Sequence, residues 1–494
     1  MRLLSLLLCA LLLACTRQTT IKPADAYDKL SDDISYLLDD PNLANAHIGL
    51  YIERVNDGRI IYKQNEYRLF VPASNQKLYT SACALDKLGP DFRFETAFYA
   101  RGEVSNDTLY GDLIVRGKGD PTISGRFHDG DVLACFKQWA DSLAAAGIRY
   151  VTGDLVGDES YFSGDALGFG WNWDDEPYWY TAQIGALSFN DNCVDLRVTA
   201  GGQPGDSVRV TMNPPTSYVL VENSALTTHA DSLSSLSISR ERGQNVILVS
   251  GKMPAGADAY STSITVEDPA LWYLDNLATT LALNDLEIAG DIVSVDKPLT
   301  MAEMVNREHL FSHNSPPLSE IIKVINKPSH NFYAEQALKT LGAEFKKEGS
   351  AGAGADVVEA WLGSIGVSEA QAIIYDGSGL SRHNMISPFA TAALLRHMYA
   401  SRHFDVFFES LPIAGVDGTL SRRMKNSPAE GRVHAKTGYV NHVRCLSGYA
   451  KDLAGNDYVF VMMMNHYSVP TSYINKLQDK IAIRLSSFHP DAAR

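Results

Sequence analysis

Cysteine is scarce in this chain: 6 among 494 residues, and two of them, Cys9 and Cys15, fall within the first fifteen positions. The other four, Cys83, Cys135, Cys193 and Cys445, are too few and too scattered to frame a disulfide-stapled fold. Cys83 lies on the apolar face of a helical pattern and reads as a core residue, and no essential bridge is expected. No apolar run reaches the roughly 20 residues that a membrane-spanning helix needs. Basic charge is short as well, with 43 Lys and Arg against 58 Asp and Glu, a net charge of −15. An acidic surface repels a phosphate backbone, which argues against a nucleic-acid partner. Glycine (37) and proline (20) stay near average usage, so fibrous and low-complexity classes are excluded. Two hydrolytic signatures are also missing. There is no Gly-x-Ser-x-Gly, the nucleophile elbow of the α/β-hydrolases, and no His-Glu-x-x-His. His309 and His313 have the zinc spacing, but Leu310 stands where the Glu is needed, so neither a metal nor another cofactor is expected.

What is present is a globular composition, 45% hydrophobic and 20% charged, long enough for about three domains of roughly 150 residues. The chain opens with one Arg and an apolar run from Leu3 to Ala14, which has the form of a secretory signal peptide. Leu12-Leu13-Ala14-Cys15 resembles a bacterial lipobox, so residues 1–14 are expected to be removed and Cys15 to carry lipid. That places the mature protein outside the cytoplasm, in the periplasm and anchored to a bacterial membrane, the outer one being expected.

Hydrophobic period gives a helix over 24–40. Two strand-like segments around Asn56-Asp57-Gly58 then form a hairpin, and a second helix over 73–88 stops at Gly89-Pro90. From about 92 to 298 short alternating strands dominate, with helices near 133–146 and 269–283. A Ser- and Thr-rich stretch, about 200–256, reads as a small nested β module. Helices return after Pro317, over 318–326, 331–341, 355–365 and 388–402. A closing hairpin, 443–451 with 457–464, and an amphipathic helix end the chain. Hairpins at both ends point to one antiparallel sheet built from the two termini, with the middle of the chain inserted.

Three short motifs carry chemistry. Ser74-Asn-Gln-Lys77 opens a helix, where residues three apart share a face, so the Lys77 amine can sit beside the Ser74 hydroxyl. A serine needs a base to become a nucleophile, and a lysine near pKa about 10.4 is no base at neutral pH. Burial or a nearby cation must lower it by roughly 3 units, so a second cation is expected elsewhere in the chain. About two Ser-x-x-Lys matches arise by chance in this length. The other, Ser294-Val-Asp-Lys297, reads as a strand, which points its two ends to opposite faces. Lys436-Thr437-Gly438 occurs once in a strand context, where about 0.1 is expected by chance. Its Lys supplies the second cation, Thr437 a hydroxyl for a carboxylate, and Gly438 room for a substrate backbone beside the strand. Ser329-His330-Asn331 lies between two helices, and is preferred to Ser312-His313-Asn314, which runs into Ser-Pro-Pro.

Ser-x-x-Lys, Ser-x-Asn and Lys-Thr-Gly, in that order, form the signature of penicillin-binding proteins and β-lactamases. With Gly111–Pro121, Gly153–Phe162, Gly170-Trp171, Pro317–Asn331, Asp376–Arg382 and Val416–Leu420, the chain resembles the class C low-molecular-mass penicillin-binding proteins. These are the serine D-alanyl-D-alanine carboxypeptidases/endopeptidases of the penicillin-binding protein 4 type. The resemblance implies an α/β (α+β) fold, in which a β-lactamase/transpeptidase-like domain of antiparallel sheet and helices carries two inserted, mainly β domains. The catalytic domain is expected over 23–94 and 300–494, a second domain over 95–198 and 263–299, and a nested third over 199–262. It implies that Ser74 is acylated and that Lys77 takes its proton. Ser329 and Asn331 would line the cleft, Ser329 relaying a proton to the leaving D-alanine. Lys436 would depress the pKa of Lys77 and, with Thr437, attract the terminal carboxylate, while the N–H groups of Ser74 and Tyr439 form the oxyanion hole. Asp158, Phe162 and Arg382 resemble the family's sub-site for a diaminopimelate amine. Implied partners are peptidoglycan stem peptides or cross-bridges and, as covalent inhibitors, β-lactam antibiotics. Tyr439 departs from the Ser or Thr usual after Lys-Thr-Gly, which removes a compact hydroxyl from the carboxylate site. A β-lactamase would be far smaller, and no Glu-x-x-x-Asn element in the chain is suited to activate a deacylating water. The alternative function is a non-catalytic peptidoglycan-binding or β-lactam-sensing lipoprotein, which would have lost a catalytic residue, whereas all three motifs are intact.

Overall fold

A computed structural model of the protein describes residues 25–297 and 307–491; Cys15, with its leader, lies outside them. The two ends of the chain build one five-stranded antiparallel sheet. Its order runs Arg59–Gln64, His47–Arg54, Asp457–Asn465, Val443–Lys451, Val433–Val440. The N-terminal strand lies directly against the C-terminal one, His47 opposite Asn465 and Arg54 opposite Tyr458. Strand residues alternate between faces, and both faces of this sheet are apolar. Phe460, Met462 and Met464 face the helices Ala26–Leu38 and Thr471–Ser486, meeting Leu30, Ile34, Leu477 and Ile481. Val459, Val461 and Met463 face the larger helical layer, which includes Leu78, Ala82, Ile321, Leu338 and Leu394. A sheet covered on both sides reads as a nearly continuous hydrophobic run, as Tyr458–Met464 does.

Inserted after helix Gln76–Leu88, the first of the helical layer, is a seven-stranded sheet, with Glu95–Ser105 and Thr108–Gly117 at its centre. Helices Ala134–Ala145 and Pro269–Ala282 bury Phe136, Trp139, Tyr273 and Leu277 against it. Strand Arg307–Asn314 pairs with Glu95–Ser105. That segment therefore belongs to the inserted sheet and not, as the expected boundary at 300 had it, to the catalytic unit. Smaller sheets of short strands occupy 193–265. The other Ser-His-Asn, Ser312 to Asn314, lies in the Arg307–Asn314 strand. Ser294 lies in strand Ile292–Val295, where its hydroxyl donates to Glu159. Cys83, Cys135, Cys193 and Cys445 are all buried and free.

Candidate active site

Ser74 sits in a single 3-10 turn, Ala73–Asn75, that runs straight into the helix Gln76–Leu88. Two glycines from other parts of the chain hold this turn. A methyl group on Gly379 would lie 1.8 Å from the Ala73 carbonyl oxygen, and one on Gly438 would lie 2.6 Å from that of Pro72. The glycine of Lys-Thr-Gly thus admits the nucleophile turn against the strand. Ala73 has φ +45°, a left-handed conformation that a residue with a Cβ adopts only when its surroundings impose it. Asn465 fixes the approach by accepting from the Val71 N–H at 2.8 Å, and Asn75 donates to Ser447 at 2.6 Å.

One helical turn on, Lys77 is completely buried. Its Nζ lies 3.1 Å from Ser74 Oγ, 2.6 Å from Asn331 Oδ1 and 2.7 Å from the carbonyl oxygen of Ser378. Burial brings its pKa down to about 7, against the opposing pull of Asp376 and Glu335. Lys436 is equally buried, donating to Ser329 Oγ at 2.7 Å and to the Thr437 carbonyl at 3.0 Å. Its pKa is also driven far down, first by burial, then by Lys77 and Arg444. Of the two causes expected for Lys77, burial leads, and it makes the Lys77 ammonium acidic enough to lose its proton near neutrality. Repulsion between the two buried amines is mutual.

Ser329 has φ +66° and closes the loop between helices Leu318–Asn326 and Asn331–Lys346. Lys436, Thr437 and Gly438 lie on the edge strand of the five-stranded sheet. Val433 and Ala435 make backbone bonds outward, to Ala414 and Pro412. The alternation of an antiparallel ladder then turns the N–H of Tyr439 outward too, away from the neighbouring strand. A cavity of about 670 Å³ opens in front of these groups, lined by Ser74, Ser329, Asn331, Thr437 and Tyr439, and by Arg382, which donates to the Asn441 carbonyl at 2.9 Å.

A nucleophile, two buried amines and a ladder edge around one cavity make an acyl-transfer site. The model of the D-Ala-D-Ala carboxypeptidase 3 (S13) family matches residues 30–486. The chain belongs to that family. It is a serine-type D-Ala-D-Ala carboxypeptidase by membership. It is similar to the D-alanyl-D-alanine carboxypeptidase of Actinomadura sp. (strain R39), 35% identical over 94% of this chain and 87% of its relative. A second relative, from Haemophilus influenzae, is 29% identical over 86% of each chain. The crystal structure of penicillin binding protein 4 from Haemophilus influenzae superposes with a TM-score of 0.81 at 26% identity, covering 92% of this chain and 100% of that one.

Within this S13 peptidase the structure brings Ser74, Lys77, Ser329, Asn331, Lys436, Thr437, Gly438, Tyr439 and Arg382 to one place. Asp158 and Phe162 are not there. Asp158 ends a strand of the inserted sheet, buried, with its carboxylate taken by the N–H and hydroxyl of Ser160 and by Arg116 at 3.4 Å. Phe162 is buried against Gly119, with the Lys339 ammonium 5.7 Å from its ring. Phe162 packs the insertion onto the catalytic unit, while the Asp158 carboxylate closes on partners within the insertion itself. The carboxylates that do line the cavity are Asp174 and Asp175, beside Trp179 and Tyr180. Neither acid belongs to a chemical motif of its own. Thr419 was also missed, and its hydroxyl lies 2.8 Å from that of Thr437. So was Arg444, which faces Tyr439 across the hairpin with its guanidinium 5.6 Å from the ring; the hairpin register alone could have placed it.

Proposed function

We propose that Ser74 attacks the carbonyl carbon of the terminal D-Ala-D-Ala bond of a peptidoglycan stem peptide, and that Lys77 in its neutral form takes the hydroxyl proton. The observation that carries this reading is the set of partners around Lys77 Nζ. A neutral amine has two hydrogens and one lone pair. Asn331 Oδ1 and the Ser378 carbonyl can only accept, so they take the two hydrogens, and the lone pair is left for the Ser74 hydroxyl at 3.1 Å. As the Oγ–C bond forms, the carbonyl oxygen gains charge between the N–H of Ser74, in a helix first turn with no intrahelical acceptor, and the outward N–H of Tyr439. Each such donor contributes about 3 kcal/mol to the transition state. Collapse breaks the C–N bond, and the leaving amine takes a proton through Ser329, which Lys436 holds at 2.7 Å. Water then cleaves the acyl ester.

The terminal carboxylate fits the Thr437–Thr419 hydroxyl pair and Arg444. Thr419 thus supplies the compact hydroxyl that Tyr439 does not. Asp174 and Asp175, with Arg382, suit a zwitterionic side chain further along the stem peptide, an ammonium for the acids and a carboxylate for the Arg. Export and lipid attachment at Cys15 complete the reading. They are supported by the apolar leader and by Leu12-Leu13-Ala14-Cys15. Release of D-alanine from a pentapeptide ending in D-Ala-D-Ala tests the function. Parent protein is expected to release it and Ser74→Ala is not, while equal release by both would overturn the assignment. Cleavage of a cross-linked dimer by the same pair measures endopeptidase action.

A further inference from the structure

The insertion reaches the second motif through one residue with no place in the chemistry above. Asn190, Asp191 and Asn192 have φ +49°, +55° and +55°, three consecutive non-glycine residues in the left-handed region. Asn and Asp tolerate that conformation better than other residues, but normally one at a time. The two asparagines are occupied in holding the turn. Asn190 donates to the Cys193 carbonyl and to Asp195, and Asn192 donates to the Gln183 carbonyl and to Ser188. Asp191, between them, is presented outward. Its Oδ2 takes Arg126 Nη2 at 3.0 Å and His330 Nε2 at 3.1 Å. His330 is the middle residue of Ser329-His330-Asn331, buried, with the Tyr333 ring 4.9 Å away and that of Trp179 at 5.4 Å.

We infer that Asp191 is a positioning residue for the reaction. Tied to Asp191, His330 holds the loop in which Ser329 meets Lys436 and Asn331 meets Lys77. The three consecutive residues make three separate anchorages. Ser329 reaches the edge strand, His330 the strained turn, and Asn331 both Lys77 and, through Nδ2, the Tyr180 carbonyl at 2.8 Å. Two of the three rest on the insertion, so the inserted unit helps to assemble the catalytic geometry as well as to shape the cleft. Letting the loop move would lengthen the Asn331–Lys77 and Ser329–Lys436 bonds together, and the acylation step would slow while the cavity wall stayed in place.

This inference rests on the roles given above to Ser329 and Asn331, and its test separates the two. Acylation by a chromogenic cephalosporin is followed to saturation, giving a maximal rate constant and a half-saturating concentration, with thermal unfolding of each variant alongside. Asp191→Gly removes the carboxylate and suits a positive φ. It is expected to lower the maximal rate constant by about ten- to a hundredfold while leaving the half-saturating concentration close to the parent's. His330→Ala should do the same, and the double variant should be no slower than the worse single one, because both cut one tie. Asp191→Asn keeps an acceptor oxygen and should fall between. If Asp191→Gly does not fold, His330→Gln reads the same tie from the other side. Parent-like rate constants in folded Asp191 and His330 variants, or losses that multiply in the double variant, would overturn the inference. Parent protein that fails to react at all would overturn the site reading beneath it.

Discussion

Lys77 can serve as a base because nothing around it compensates its charge closely enough to offset burial, which brings its pKa to about 7. Below that value the amine is protonated and cannot take the Ser74 proton. The acylation rate constant is therefore expected to fall about tenfold per pH unit on the acid side and to level off above neutrality. A rate flat from pH 5 to 8 would contradict this. Since burial is the leading cause, Lys436→Gln is expected to slow acylation yet leave the midpoint near its parent position; a large upward move would instead restore the second cation as the cause. The glycine contacts give a steric prediction at the same scale. Ala at 379 would need φ +85° and would place its methyl group 1.8 Å from the Ala73 carbonyl oxygen. Gly379→Ala should cost more than about 1 kcal/mol of stability and lower acylation about a hundredfold, measured by thermal unfolding and by the same kinetics. Ser74, Lys77 and Lys436 were legible from the sequence because their spacing obeys helix and strand period. Asp158 was not placed correctly, because a Gly-Asp-Glu-Ser turn looks the same whether its carboxylate faces a cleft or closes on its own Ser160 and on Arg116.

At the scale of elements, a buried carboxyl marks a cost that the insertion carries. Asp120 follows the long strand Thr108–Gly117; one oxygen accepts from the N–H and hydroxyl of Thr122, at 2.8 and 2.7 Å. Burial raises its pKa to about 6. A carboxyl whose folded pKa lies above its unfolded value of 3.8 makes the folded state bind the proton more tightly. Its contribution is then fully favourable at acid pH and is lost as pH rises from about 4 through 6. Asp120→Asn removes the charge, so it should stabilise the protein by roughly 1–3 kcal/mol above pH 6 and little near pH 4. Unfolding midpoints measured across that range check the sign; a loss of stability at pH 7 would contradict it. Helix and strand identities in the five-stranded sheet and the helical layer were readable because their apolar period is long. Helix Phe404–Ser410 was not, since its seven residues complete too few turns to show a period. Strand Arg307–Asn314 was given to the wrong unit because its partner lies some 200 residues away in sequence, and pairing over that distance leaves no local mark.

Across the whole molecule, one apolar cluster joins the insertion to the catalytic unit. Phe162, Ala182, Ile184 and Ala186 pack in the same core as Phe332, Tyr333 and Ala337. Elements that share a core unfold together. Calorimetry is expected to show the insertion and the helical layer melting in one transition, whose midpoint rises once Ser74 carries an acyl group. Two separate transitions, only one of them responding, would contradict a shared core. The order of the three motifs along the chain, and the meeting of its two ends in one sheet, were both legible in advance. The contribution of the insertion to the site was not, because Tyr180, Asp174, Asp175 and Asp191 belong to loops whose positions only the tertiary fold sets. The central claim, that this assembly makes Ser74 a nucleophile, is tested most directly by intact mass after mixing with a penicillin, followed by peptide mapping. One penicilloyl group on Ser74, absent in Ser74→Ala and slow to leave, is the expected result. A folded parent protein that gains no mass, or gains it on a different residue, would contradict the claim.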